Sequence, residues 1–269
     1  MKLIILGPNG MMGSMLFYLA KKRNLNVDAI DRSQFDVMKD SISKLDDILQ
    51  ICQDSVTIVN CIGCIPQKKY TSDEYKKINQ EFPHSLSNYC KEKGFYFIHL
   101  STNCVYSGKH GDVLETDVPD ADDTYGMTKL LGEPAYGLVI RSSIIGPERI
   151  SSSGLFAWYT QNKEKRVNGF LHQYWNGLTT LELSHFILEQ LDTSPLVSRV
   201  VHVHSEMSIS KYELLCLIKE IFLTTVAIDP IECPLKYYTL KSLSIEKRKP
   251  IKEQLGDLKC IYSHFMINT

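Results

Sequence analysis

Three short stretches in a fixed order constrain the fold of this chain more than any other feature. A glycine-rich stretch at residues 7–13 follows the first apolar run, a hydroxyl-bearing stretch occupies 101–106, and Tyr125 and Lys129 form a Tyr-x-x-x-Lys pair. Each stretch lies at or just after the end of a predicted strand. Because ligands bind beyond the carboxyl ends of the strands in open α/β sheets, we expect the three stretches to meet at one site.

Apolar runs alternate with helical patterns through the first half of the chain. Strand-like runs occupy 2–6, 25–30, 56–59, 95–100 and 138–142, and helical periodicity occupies 11–23, 42–52, 72–93 and 124–132, with Gly94 closing the third helix. Alternation of this kind is typical of a parallel sheet with right-handed crossovers and helices on both faces. The predicted fold is therefore α/β, with a doubly wound parallel sheet.

The regular pattern weakens after Gly146 and Pro147. We assign residues 1–145 to a dinucleotide-binding domain and 146–269 mostly to a smaller C-terminal substrate lobe. Residues 181–191 have a helical pattern and 199–203 a strand pattern, so part of the second half, about 180–205, is expected to return to the sheet.

Composition excludes several classes of protein. The formal net charge is -1, which gives no broad field for nucleic acid or an anionic membrane surface. No apolar run approaches the roughly 20 residues of a membrane span, and the first apolar run stops at Gly7, too early for a secretory signal. Eight scattered cysteines favour reduced thiols. We expect a cytoplasmic protein without nucleic-acid or membrane partners. A homodimer stays open, since no helix face is visibly apolar enough to demand one.

The first stretch has the spacing of a phosphate-binding turn between a strand and a helix. Glycines let backbone N–H groups approach a pyrophosphate, and the helix N-terminus adds a partial positive charge. We predict that a dinucleotide binds here, although an unliganded turn has the same composition. The residues concerned are Gly7, Asn9, Gly10, Met11, Met12 and Gly13.

Asp31 and Arg32 follow the second predicted strand. A carboxylate at this point can accept hydrogen bonds from the adenosine ribose, whereas a guanidinium can hold a 2'-phosphate. The pair leaves NAD(H) and NADP(H) both open, with NADP(H) slightly favoured; a surface ion pair is the structural alternative.

Tyr125 and Lys129 lie four residues apart, on one face of a predicted helix. An ammonium beside a phenol favours the phenolate, so we expect the pKa of Tyr125 to be lowered toward a value useful for proton transfer. Thr102, at the end of the fourth strand, adds a hydroxyl nearby. The three together predict a catalytic group rather than a solvated helix face.

Two further patterns have the form of metal sites. Cys61 and Cys64 have the spacing of half a zinc site, and His202 and His204 alternate on one predicted strand. Neither has a second pair or carboxylate at matching spacing, so we predict no metal.

With these motifs in place, the chain resembles the extended short-chain dehydrogenases/reductases, and among them the dTDP-4-dehydrorhamnose reductase group of sugar-nucleotide reductases. The resemblance is close in the first half and weaker through 175–180 and 249–258. The matching residues are Gly7, Gly10 and Gly13, the segments 31–36 and 60–63, Ile78 and Asn79, Ser101 and Thr102, 125–129 with Gly132 and Glu133, and 141–143.

The resemblance implies a Rossmann-type fold and a function. Tyr125 would protonate a ketone as hydride arrives from a nicotinamide, Lys129 would tune Tyr125 and bind the nicotinamide ribose, and Thr102 would orient the carbonyl. Asn79 would support the site, although capping or packing is an equal alternative. The substrate would be a nucleotide-linked 4-keto-6-deoxysugar used in surface polysaccharide biosynthesis. Further cofactor contacts would come from Cys61, Ile62, Gly63 and Ser143, and substrate contacts from Thr102, Asn103, Cys104, Tyr125 and Trp175.

Two departures keep alternatives open. The related pattern has an acidic and then an aromatic residue after the catalytic threonine, where this chain has Asn103 and Cys104. GDP-fucose synthase resembles this chain in carrying a cysteine there, so Cys104 could give a bifunctional epimerase-reductase, with His172 as a conceivable acid. A non-catalytic, NADP-binding regulatory subunit, like that of methionine adenosyltransferase, is a third alternative. Trp175 could stack on a base or sugar, or belong to the core.

Overall fold

Short apolar runs alternate with helices along the chain, as their patterns predict. The computed structural model describes residues 1–50, 55–150, 152–162, 164–191, 198–245 and 247–267. Its strands are β1 (Lys2–Leu6), β2 (Val27–Ile30), β3 (Val56–Asn60), β4 (Tyr96–Leu100), β5 (Leu138–Arg141), β6 (Ile144–Ile145), β7 (Arg166–Phe170), β8 (Gln173–Trp175), β9 (Leu178–Thr179), β10 (Arg199–His202), β11 (Ile209–Ser210), β12 (Ala227–Ile231) and β13 (Lys236–Tyr238).

Helices form in each segment where helical periodicity predicts one, with shorter ends in several places. The predicted helix at 42–52 is one of these, and its last two positions lie outside the described residues. The helices are α1 (Met11–Lys22), α2 (Lys44–Leu49), α3 (Ser72–Tyr75), α4 (Phe82–Lys93), α5 (Thr124–Leu131), α6 (Leu155–Thr160), α7 (Thr180–Gln190), α8 (Lys211–Phe222) and α9 (Ile251–Ile267).

Six strands form one parallel sheet in the order β10-β5-β4-β3-β1-β2. β10 pairs with β5 in parallel, with Val201 opposite Ile140, so the late strand rejoins the sheet as predicted. β1 pairs with β2 on one side and with β3 on the other. The loops after β1 and β3 therefore diverge at a topological switch point, which is where open α/β sheets form a ligand crevice.

The sheet is covered by helices on both faces. In β1, Leu3 and Ile5 pack into one apolar cluster with residues of α1, α7 and α9. Ile4 and Leu6 point to the other face and pack with residues of α2 and α4. Alternate side chains of a strand face opposite ways, so a continuous apolar run fits a strand buried on both sides. The doubly wound α/β fold is confirmed.

The long helix predicted at 72–93 contains a π-helical segment, Lys76–Glu81, between α3 and α4. Its end is as predicted, because Gly94 takes a left-handed conformation with φ of +70°. The π segment widens the helix at Asn79, whose carbonyl lies against the end of α5. A Cβ at Gly132 would approach the Asn79 carbonyl oxygen to 1.8 Å, so only glycine allows this contact. Periodicity alone does not reveal such an insertion.

The later part of the chain builds a third apolar cluster beside the sheet. Three small sheets, β11-β8-β13, β12-β7 and β6-β9, surround it. α6, α8 and α9 supply its centre, including Phe156, Tyr159, Ile218 and Leu255. None of the helices in the described part of the chain combines the length and apolar character needed to cross a bilayer.

A buried ion pair joins α5 to the sheet. Glu133, directly after α5, accepts two hydrogen bonds from Arg141 of β5, at 2.8 Å and 2.7 Å, and both side chains are less than 10% exposed. Ser101, after β4, donates to the same carboxylate at 2.5 Å. Burial alone would lower the pKa of Arg141, but the hydrogen bonds and charge of Glu133 outweigh it and raise that pKa. Both charges are therefore held together in the folded state.

We expect Glu133→Gln to destabilise the protein by about 3–5 kcal/mol, because it leaves the Arg141 guanidinium buried without its counter-charge. Urea denaturation followed by circular dichroism measures the change. Asp229→Asn, which breaks the exposed Asp229–Arg166 pair, is the matched control and should leave the midpoint nearly unchanged. Equal midpoint shifts in the two variants would contradict the assignment of Glu133–Arg141 as the stabilising pair.

Candidate active site

The glycine stretch forms a tight turn between β1 and α1. Gly7 has φ of +83°, and a Cβ there would lie 3.0 Å from the Ile62 side chain in the loop after β3. A Cβ at Gly13 would lie 2.2 Å from the Gly7 carbonyl oxygen. Gly10 begins α1 without a side-chain cap, and the first turn of α1 carries no acidic residue. This uncluttered helix N-terminus suits a phosphate.

Met11 and Met12 face different surroundings. Met12 is buried in the apolar cluster beneath α1. Met11 is partly exposed, and a Cβ at Gly154 would lie 2.4 Å from its terminal methyl group. The segment before α6 therefore lies against the start of α1.

Asp31 and Arg32 lie just beyond β2. The Asp31 carboxylate accepts hydrogen bonds from the Ser33 side chain at 2.6 Å and backbone N–H at 2.9 Å, which lower its pKa, with a smaller contribution from Asn9. Asp31 thus stays ionised and adjoins the glycine turn through Asn9. Arg32 donates to Asp36 at 3.2 Å, yet its side chain is 72% exposed. Its guanidinium is accessible to an anion.

The loop after β3 is held from beneath by Asn79. The Asn79 side chain accepts from the Cys64 N–H at 2.8 Å and donates to the Cys64 carbonyl at 3.1 Å. This fixes Cys61, Ile62 and Gly63 opposite the glycine turn. Burial raises the pKa of both Cys61 and Cys64 to about 12, so both are protonated thiols at neutral pH.

Thr102 and Tyr125 come together at the carboxyl end of β4. Thr102 begins a short 3-10 turn, Asn103–Val105, and its hydroxyl accepts from the Cys104 N–H at 3.1 Å. A Cβ at Gly126 would lie 2.2 Å from the Cys104 carbonyl oxygen, so the first turn of α5 lies directly on this turn. Tyr125 is close enough to this turn for Thr102 to act on its pKa.

The protonation of Tyr125 differs from the prediction. Burial raises the pKa of Tyr125, and Thr102 opposes this only in part. The expected lowering by Lys129 is not found, because the Lys129 ammonium is directed elsewhere: it donates to the Leu100 carbonyl at 2.6 Å. Tyr125 is therefore a neutral phenol at neutral pH, able to donate a proton.

Lys129 is 4% exposed, on the inner face of α5. Its Nζ lies 3.4 Å from His99 Nε2. Burial lowers the pKa of Lys129 to about 8, although the Glu133 carboxylate acts in the opposite direction. Lys129 thus changes its charge close to neutral pH.

Beyond Thr102, residues of the later half of the chain lie beside the 3-10 turn. Asn103 donates from its side chain to the Tyr238 carbonyl at 3.2 Å. Burial raises the pKa of the neighbouring Cys104 thiol, with Thr102 and Lys211 opposing. The Lys211 ammonium lies 5.2 Å from the centre of the Tyr238 ring. Sequence reasoning missed Lys211. The Ser-x-x-Glu pattern at 210–213 marks the start of α8, but nothing local connects that start to Cys104.

Trp175 packs in the core and does not form a stacking platform. Trp175 is buried in the apolar cluster of the later half, and its indole N–H donates to the Ser143 hydroxyl at 2.7 Å. A Cβ at Gly177 would lie 2.3 Å from the Ser143 carbonyl oxygen, so the two segments are closely packed. The structure thus places Trp175 in the core, the second of its two alternatives.

The histidines singled out in the sequence lie away from Tyr125. His172 pairs with Glu232 on the surface. His202 is buried, with Nδ1 at 2.9 Å from the Lys241 carbonyl and Nε2 at 3.4 Å from the Tyr106 hydroxyl, and His204 Nδ1 lies 2.8 Å from the Ser205 carbonyl. Within the described ranges, no three His, Cys, Asp or Glu residues are grouped closely enough to hold a metal ion.

The chain matches a known protein family over most of its length. A sequence model of the RmlD substrate binding domain family matches residues 1–234. The chain belongs to the RmlD substrate binding domain family. The match extends from the glycine turn through the Thr102–Tyr125–Lys129 region and into the small sheets.

Curated relatives are similar over a shorter stretch. A dTDP-4-dehydrorhamnose reductase of Mycobacterium tuberculosis is 26% identical over 141 residues, which cover 50% of this chain and 45% of the relative. A protein of the same name from Streptomyces griseus is 27% identical over 150 residues, covering 52% and 48%. The match therefore spans about half the length of these relatives.

Solved structures of this family share the whole fold. A dTDP-4-dehydrorhamnose reductase of Clostridium acetobutylicum has a TM-score of 0.83 at 19% identity, covering 98% of this chain and all of that one. One from Bacillus anthracis, solved with NADP, has a TM-score of 0.82 at 18% identity, covering 100% and 99%. At these identities the likeness shows the fold alone.

Because burial raises the pKa of Cys104, this thiol should react slowly with alkylating reagents. We expect iodoacetamide at pH 7.5 to label the exposed Cys260 well before Cys104. Iodoacetamide reacts with the thiolate, and burial keeps Cys104 in its thiol form. Mass spectrometry of peptides over a time course gives both rates, and Cys104→Ser identifies the slower site. Preferential labelling of Cys104 would show an activated thiolate and contradict the structure.

Proposed function

We propose that this protein is a reductase that transfers hydride from a nicotinamide dinucleotide to the keto carbon of a nucleotide-linked 4-keto-6-deoxysugar. The observation that carries this proposal is the proximity of Thr102 and Tyr125 at the carboxyl edge of the sheet, with Lys129 one turn farther along α5. Membership of the RmlD family and relatives named dTDP-4-dehydrorhamnose reductase support it.

The residues around the switch point fit a dinucleotide. A Cβ at Gly7 or Gly13 would fill the turn, and the start of α1 offers backbone N–H groups toward a phosphate. Bound there, the cofactor would supply the hydride. Gly7, Asn9, Gly10, Met11, Met12 and Gly13 would hold the pyrophosphate side, Asp31 and Arg32 the adenosine side, and Cys61, Ile62, Gly63 and Ser143 the remainder.

Tyr125 supplies the proton in this scheme. Because burial raises its pKa, the phenol is protonated at neutral pH and can donate to the developing alkoxide. Thr102 orients the same oxygen through its hydroxyl. Lys129, whose Nζ donates to the Leu100 carbonyl beneath the site, would bind the nicotinamide ribose when charged, as the resemblance to the reductases implies. Remote binding energy from the nucleotide would hold the sugar in place.

We propose NADPH as the preferred cofactor. The exposed Arg32 guanidinium beyond β2 can pair with a 2'-phosphate. Among structural neighbours, the Bacillus anthracis protein was solved with NADP, whereas another, with a TM-score of 0.77, was solved with UDP-glucose and NAD.

Arg32→Ala should raise KM for NADPH while leaving KM for NADH nearly unchanged, because only NADPH carries the 2'-phosphate. Equal changes in the two KM values would contradict the preference.

We further propose that residues 146–269 contribute the substrate lobe, with 180–205 returning to the sheet, and that the protein works in the cytoplasm. The lobe places Lys211 and Tyr238 beside Cys104 and Asn103. Their arrangement gives the sugar side of the pocket a polar wall. An epimerase role for Cys104 has less support, since burial raises the pKa of this thiol and disfavours it as a base at neutral pH.

Tyr125→Phe tests the reaction directly. We expect kcat for NADPH oxidation with dTDP-, UDP- and GDP-linked 4-keto-6-deoxysugars to fall about 10²–10⁴-fold, the usual contribution of a general acid. Tyr96→Phe, at the opposite end of β4, is the matched control and should retain activity. Cofactor binding, followed by fluorescence titration, should survive in both variants. Cofactor binding without turnover in the unaltered protein would instead favour a regulatory subunit.

Lys129 predicts the upper limit of the pH profile. Its ammonium is the active form and its pKa is lowered to about 8, so kcat/KM should decline as pH rises through about 8. Lys129→Met should have low activity below pH 8 and no such decline. A wild-type profile flat to pH 10 would show that the charge of Lys129 does not support the reaction.

A further inference from the structure

A row of buried polar side chains extends from Lys129 away from the pocket. Asn60 and His99 are both 0% exposed, and Lys129 is 4% exposed. Asn60 Nδ2 lies 3.2 Å from His99 Nδ1, and His99 Nε2 lies 3.4 Å from Lys129 Nζ. The reduction scheme above gives no role to Asn60 or His99. Buried polar groups of this kind are costly unless their donors and acceptors match.

The backbone determines which way the Asn60 amide is turned. The Ile62 N–H donates to Asn60 Oδ1 at 3.0 Å, so the oxygen is already committed to the loop after β3. The amide nitrogen must therefore face His99, and it can only donate. His99 Nδ1 accepts this hydrogen bond and carries no proton.

This choice propagates to the other ring nitrogen. Burial, together with the charge of Lys129, lowers the pKa of His99 well below its usual value, so the imidazole is neutral. A neutral ring with a bare Nδ1 carries its one proton on Nε2, which faces Lys129. An ammonium has no lone pair to accept that proton, whereas a neutral amine has one. The Nε2–H tautomer therefore matches uncharged Lys129 and opposes the ammonium.

We propose that Asn60 and His99 act as positioning residues that bias the protonation of Lys129 by holding His99 in its Nε2–H tautomer. The row ends in an amide that neither gains nor loses a proton, so it tunes Lys129 and does not conduct protons to solvent. This inference deepens the proposed function, on which its catalytic consequence rests. The orientation of the Asn60 amide and the tautomer of His99 do not depend on that function.

Other groups around the row do not supply this bias. Lys129 also faces Glu133, just beyond the end of α5, and the thiols of Cys61 and Cys64 on the loop after β3; any negative charge on these groups would favour the ammonium. Leu100 contributes its carbonyl, which accepts from either form of the lysine. On its other side, His99 is near His84 of α4, which acts to lower the pKa of His99 further. His84 Nε2 lies 2.7 Å from the Leu131 carbonyl.

The tautomer can be read without turnover. Long-range ¹H–¹⁵N correlation spectra of the cofactor-free protein should show His99 with a protonated Nε2 and a bare Nδ1, assigned by the signal lost in His99→Gln. Asn60→Asp keeps an oxygen toward the Ile62 N–H and offers a second one to Nδ1, so this variant should place a proton on Nδ1. A wild-type His99 protonated on Nδ1 would overturn the inference.

The effect on Lys129 is measured in the same sample by titrating its ¹³Cε shift, assigned with Lys129→Met. In His99→Gln a neutral amide can turn its oxygen to the ammonium, so the Lys129 midpoint should rise by about one pH unit, as should the upper limit of the kcat/KM profile. His110→Gln, at an exposed position, is the control and should not move it. An unmoved midpoint in His99→Gln, with the fold retained, would overturn the tuning role. If no variant turns over substrate, the proposed function fails while the titration still decides this inference.

Discussion

The buried pair between Glu133 and Arg141 is the interaction on which the site depends. It joins the residue after α5 to β5 while the Ser101 hydroxyl adds the end of β4, so three elements share one carboxylate. α5 carries both Tyr125 and Lys129, and β4 ends next to Thr102. A buried pair with satisfied hydrogen bonds is directional, which an apolar contact is not. The pair therefore fixes how α5 is rotated against the sheet and which of its side chains face the crevice.

Close backbone contacts complete this arrangement from two sides. Gly126 lets the first turn of α5 lie against Cys104, and Gly132 lets its end lie against the π segment at Asn79. Asn79 in turn holds the loop after β3 by two hydrogen bonds. Since a Cβ at either glycine would meet a carbonyl oxygen, the spacing between the loop after β3 and α5 is set by contacts that tolerate little movement.

Burial determines the protonation of the site more than pairing does. It raises the pKa of Tyr125 and Cys104 and lowers that of Lys129, each toward the neutral form. The sequence suggests the opposite for Tyr125, because the Tyr-x-x-x-Lys spacing places an ammonium beside the phenol. In the folded chain the Leu100 carbonyl takes that ammonium instead. A neutral phenol suits proton donation during reduction, and a lysine that titrates near neutral pH makes the site sensitive to its polar surroundings.

Features encoded by neighbouring residues could be predicted from the sequence, whereas contacts between residues far apart along the chain could not. Apolar periodicity and glycine positions are local, and they predict the parallel sheet, the turn after β1 and the left-handed end at Gly94. Lys211 and Tyr238 lie beside Cys104 and Asn103, which are more than one hundred positions away along the chain, and no local pattern encodes this proximity. Trp175 shows the same limit, because an aromatic residue near a site has the same sequence signature in a core as on a ligand surface. In the sequence, His99 is only one residue of a predicted buried strand. Its proposed role depends on the folded structure, where the Asn60 amide and the Ile62 N–H determine which nitrogen of His99 carries the proton.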